Sequence, residues 1–156
     1  MQLMSVPTII PIKREENYHT HNIGRYEEDH QFMGFVVASL PMPPPVNWQK
    51  VKRWYALLYC FDSAGNYLNA QHECLGTTAE GEKGVIKAAQ KLLDEWLQAL
   101  PNRKFGDVAI KLFSLEIDCR RFGLIDVSEP EDDYERVDLV PNELAFFPPW
   151  EGDYDT

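Results

Sequence analysis

The chain has 156 residues, of which 44% are apolar and 12% aromatic, and it carries a formal net charge of −10. A domain of this length buries about 68 to 70% of the surface its unfolded chain exposes, so it can build a core without a metal or a disulfide. The charge lies at one end: from Asp126 onward eleven carboxylates face a single cation, Arg136, while residues 1–125 balance, which excludes nucleic acid and anionic membranes as natural partners and favours a basic protein.

The opening "MQLMSVPTIIPIKREE" has no positive stretch before its apolar part and contains two prolines, so it does not read as a signal peptide. No run reaches about 18 apolar residues, and a cytoplasmic address is expected. Residues 16–26, "ENYHTHNIGRY", place His19 and His21 two apart. On an extended chain that spacing points both imidazoles to one side.

"HQFMGFVVASL" (30–40) is almost wholly apolar and fits a central strand covered on both faces. "PMPPPV" (41–46) is a stiff loop within one domain, because proline can continue neither a helix nor a central strand. "RWYALLYCF" (53–61), the turn residues "DSAGN" and "YLNAQHECL" (67–75) then read as a β-hairpin. On its second arm, alternation puts Leu68, Ala70, His72 and Cys74 on one side and Tyr67, Asn69, Gln71 and Glu73 on the other.

One long helix is predicted at about 79–100. Thr77 and Glu80 have capping-box spacing, and Val85, Ala89, Leu92, Leu93, Trp96, Leu97 and Leu100 recur at the helical period. Pro101 and Asn102 stop it. Next, "VAIKLFSLEID" and "RFGLIDV" form a second predicted hairpin, and a short strand is expected at 136–140. The knot of aromatics and prolines at 146–150 is expected to fold back on the body. The sum is an α+β domain spanning 1–156, an antiparallel sheet of about five or six strands with one long helix on a face. Residues 127–156 form an acidic C-terminal segment that is partly loop.

Few residue patterns point to chemistry. Cys60, Cys74 and Cys119 show no CxxC spacing and read as reduced, buried thiols. His19, His21, His72 and Cys74 are the one candidate metal set, able to close a tetrahedral zinc site only if their two segments are neighbours. In "GTTAEGEKG" (76–84) Glu82 stands where a phosphate loop needs lysine, so no nucleotide site is expected. There is no GxSxG elbow, and Glu116, Asp118 and Asp126 are the carboxylates nearest the second hairpin's ends. The acidic run "EPEDDYERVD" lacks the glycine and the closing glutamate of a calcium loop. Its residues Glu131, Asp132, Asp133, Tyr134 and Glu135 instead suit a docking surface for a basic protein, with Tyr134 as an anchor.

The segments "THNIGRY", "KRWYALLYCFDSAGNYL", "FGDVAIKLFSLEID", "RFGLID" and "FFPPWEGDYDT" resemble a family of small bacterial proteins often labelled as similar to the formate hydrogenlyase regulatory protein HycA. That resemblance spans almost the whole chain. It implies regulation of a transcriptional activator by protein contact, with no catalytic or binding residue to carry over. The reading that follows is a non-enzymatic bacterial interaction module without a cofactor, regulator-like or immunity-like. The alternatives are the metal-binding set above, or a small-ligand binder or enzyme with a pocket between helix and sheet.

Overall fold

The computed structural model describes residues 6–152. Strand β1 is Ile10–Ile12, β2 Ile23–Tyr26 and β3 His30–Ser39; a single helical turn α1, Trp48–Val51, leads into β4, Arg53–Phe61. Then come β5 (Tyr67–Thr77), the long helix α2 (Glu82–Gln98), β6 (Lys104–Phe105) and β7 (Val108–Ile110). β8 (Phe113–Ile117), β9 (Arg120–Asp126), β10 (Val137–Val140) and β11 (Leu144–Phe146) complete the described chain. All pairings are antiparallel, and the fold is α+β with one long helix.

The strands divide into three sheets, ordered β5-β4-β3-β2-β6, β11-β10-β9-β8 and β1-β7. Side-chain alternation gives the five-stranded sheet two apolar faces. On one, Phe32, Ala56, Leu58 and Cys60 meet Ala89, Leu93 and Leu97 of α2, all buried. Each large side chain there contributes about 1.5 to 3 kcal/mol of gross burial energy. Gly34 lies on this face, and a Cβ added to it would sit 3.0 Å from Leu93 Cδ1, so its bare backbone lets the helix approach closely.

The other face packs against both smaller sheets. Met33, Phe35, Val37, Tyr55, Leu57, Tyr59 and Phe61 form one core with residues of β1 and β7 to β11. Aromatic rings meet edge-on where the layers join, Tyr59 with Phe113 at 4.8 Å and Tyr55 with Phe122 at 5.3 Å between centroids. Gln31 is a polar member of this face. Fully buried, it donates through Nε2 to the carbonyls of Asp62 (3.0 Å) and Ala109 (2.9 Å), and its Oε1 accepts the Ala109 N–H at 2.7 Å. One amide thus ties β3 to β7.

The helix face lies where residue periodicity places it, and so does the first hairpin apart from the start of β5. The Glu80 carboxylate accepts hydrogen bonds from the Thr77 N–H and hydroxyl, both at 3.1 Å, but the turn it closes is a short 3-10 segment, Thr78–Glu80, ahead of α2. Gly81, at φ 109, then starts the helix proper. The second hairpin is β8-β9 alone, because 108–110 leaves it to pair with β1.

Other expectations need correction. A register shift between Cys60 and Phe61 makes Leu68 a bulge, so Tyr67 and Ala70 share the core face and Leu68 is 46% exposed. Of the three thiols only Cys60 is buried; Cys74 lies on the edge strand β5 and Cys119 in the tight β8-β9 turn. The aromatic knot does fold back, with Phe146 and Trp150 against the core and the Lys13 N–H donating to the Gly152 carbonyl at 3.0 Å.

Candidate functional site

β2 covers only part of β3: the two strands pair from Tyr26–His30 to Ile23–Met33, and β3 continues to Ser39 against β4 alone. The chain before β2 turns away, held by Thr20 Oγ1 donating to the Lys13 carbonyl (3.0 Å) and Arg14 Nε donating to the His21 carbonyl (2.7 Å). Beside the uncovered part of β3 lies a groove of about 1090 Å³. Its walls include residues 17–19, His21 and Asn22, the β10-β11 turn and β10 itself, Gln90 of α2, and Trp54 and Lys52. The Lys52 ammonium sits 5.1 Å from the Trp54 ring centroid and 5.8 Å from that of Trp48. Arg136 and Asp138 also line it, joined by bonds of 2.7 and 3.2 Å that raise the arginine's affinity for its proton. Glu143 adds a second carboxylate, so two cations and two carboxylates balance.

Arg136 closes the acidic loop that precedes β10. The Val127 N–H donates to the Arg136 carbonyl at 3.0 Å, and Ser128 Oγ accepts the Arg136 N–H at 3.0 Å, so the neck of the loop is fixed. Beyond that neck Glu131, Asp132, Asp133 and Tyr134 are exposed and Glu135 is half-buried. Tyr134 rests on Phe147, centroids 5.9 Å apart, and keeps 54% of its surface in solvent.

The candidate metal set is not assembled. His19 and His21 lie in turns before β2, not on a strand, and both are exposed. His21 Nδ1 is 2.7 Å from the Tyr18 carbonyl, and the His19 ring stands edge-on to Tyr18. His72 and Cys74 are on β5, separated from β2 by β4 and β3. Three strand spacings make about 14 Å, against metal–ligand bonds of about 2.0 to 2.3 Å. Among the described residues no three His, Cys, Asp or Glu side chains are placed to hold a metal ion.

The hairpin carboxylates do not converge either. Asp118 sits in the β8-β9 turn and accepts the Tyr55 hydroxyl at 2.8 Å, while Asp126 ends β9 and accepts the Ser128 N–H at 3.0 Å. Burial and that bond to Asp118 push the Tyr55 phenol up to about 12. Arg120 donates to the Ser39 and Val51 carbonyls, and burial and the neighbouring Arg53 lower its pKa. These groups hold the sheets together. The α2 core fills most of the space between helix and sheet, and the groove lies at the strand edge, where Gln90 of α2 also lines it.

The acidic loop was visible as composition, but the groove depends on where β2 stops, which no residue pattern marks. Comparison with protein-family models, with curated proteins and with solved structures finds no match to this chain. No described helix is long and apolar enough to cross a membrane.

Proposed function

We propose that the chain is a docking module that binds a basic protein through its acidic loop and the surface beside it. The observation that carries this reading is the loop's uncompensated charge: Glu131, Asp132 and Asp133 are exposed to solvent, while the local cation, Arg136, is committed to Asp138. Clustered like charge speeds encounter with an oppositely charged partner more than it deepens the final affinity. The resemblance to HycA-like regulators, which implies work by contact, agrees with this.

The test compares the full chain with a variant carrying Glu131→Gln, Asp132→Asn, Asp133→Asn and Glu135→Gln, using an oligolysine peptide as probe. Association should slow in the variant and in high salt. Equal rates in both proteins, or salt-independent binding, would refute the proposal.

A further inference from the structure

The uncovered part of β3 is an open strand edge inside a groove. The Gly34 N–H donates to the Asn22 carbonyl at 2.8 Å on the β2 side, which fixes the sense of the alternation. Val36 and Ala38 therefore direct their N–H and C=O groups to that side, and Phe35, Val37 and Ser39 direct theirs to β4. Among the described residues no strand takes up the edge groups of Val36 and Ala38. In the same groove Asn142 Oδ1 is buried without a donor.

We propose that this groove receives an extended polypeptide segment as an added strand, antiparallel to β3 and in line with β2, and that the segment is neutral at its centre and basic at one flank. This deepens the proposed docking of a basic protein and rests on it. Unpaired N–H and C=O pairs repeating every second residue, about 6.8 Å apart, match the repeat of a strand and are met in full by another backbone. The balanced charges of Lys52, Arg136, Asp138 and Glu143 favour an uncharged central part. Past Arg136 the segment meets the acidic loop, which calls for lysine or arginine on that flank. A second copy of this chain is the poorer occupant, because it would bring two acidic loops together on molecules of charge −10.

The test selects binders from a displayed library of random peptides on the full-length protein. Enriched peptides should alternate β-branched residues and carry basic residues at one end. A synthetic copy should slow hydrogen exchange at the Val36 and Ala38 amides. N-methylation of alternate residues in that peptide should weaken binding about tenfold or more, since each methyl removes a donor and blocks the edge. Val36→Pro should act likewise, because the lost N–H faces the groove and not β4; the methylated peptide leaves the protein untouched should that variant misfold.

Failure to enrich any such peptide overturns the proposal, as does tight binding that leaves Val36 and Ala38 unprotected. If such binding is still lost on neutralising the loop, docking of a basic partner stands and strand addition alone falls. Protection that grows with protein concentration without peptide would make a second copy the occupant and also overturn it.

Discussion

Replacing Gln31 by leucine keeps its size and removes three hydrogen bonds at once. The carbonyl and the N–H of Ala109 lose their partner, while the Asp62 carbonyl keeps the Gly65 N–H at 3.0 Å. At about 1 kcal/mol for each of the two part-buried groups left unsatisfied, the loss comes to about 2 kcal/mol. With a urea dependence of about 2 kcal/mol per molar, the unfolding midpoint should fall by about 1 M. Gln31→Glu separates hydrogen bonding from shape. Its carboxylate can still accept the Ala109 N–H but faces two carbonyl oxygens, so its folded pKa should rise above the unfolded value of about 4.3. Stability tied to the protonated form is then present below about pH 4 and is lost as pH rises through the folded pKa. Acidification should narrow the gap between the glutamate variant and wild type, while the leucine deficit stays nearly constant. A leucine variant whose midpoint moves by less than about 0.5 M would refute the view that this amide holds the layers together.

Gly34→Ala pushes a methyl group against Leu93, and Leu93→Ala alone should cost about 2 to 5 kcal/mol; the double variant should be more stable than the sum of the singles implies, by about 0.5 to 3 kcal/mol in urea titrations. In a native thiol assay Cys74 and Cys119 should react promptly and Cys60 only on unfolding, since burial also raises the Cys60 pKa. Asp62 accepts bonds from the Asn66 side chain, the Asn66 N–H and the Ala64 N–H, which lower its pKa. The stability it adds is present above about pH 4 and lost as pH falls through the folded value, so Asp62→Asn should flatten the acid limb of the stability curve.

Local pattern and long-range pairing explain which parts of the molecule could be read from its residues. The helix face and the first hairpin followed from periodicity, because residues 3 or 4 apart and alternate residues decide them. Gln31 carried a weak signal, a lone polar side chain in "HQFMGFVV", but its partner Ala109 lies 78 residues away and no local rule names it. The division into three sheets was hidden for the same reason, since it depends on Ile10 meeting Ile110. A single extra residue, Leu68, reversed the facing of Tyr67 relative to the simple alternation. His19 and His21 had the spacing of a paired site and the wrong backbone: turns held by Thr20 and Arg14 replaced the strand that would have aligned them.

The distant pairings also order events during synthesis. β3, β4 and β5 join neighbours in sequence and, with α2, can assemble while later residues are still being made. β2 can join β3 at once, but its far edge stays open until Lys104 and Phe105 emerge, and β1 has no strand to meet until residues 108–110 emerge. Closing loops of that length adds entropy cost before any contact repays it, so the N-terminal strand should be the last early-made segment to settle. Until then Ile10, Ile12 and Ile23, buried in the finished protein, remain open to water and to other chains. A nascent chain clear of the ribosome up to about residue 100 would therefore present a folded hairpin and helix with an adhesive N-terminal arm.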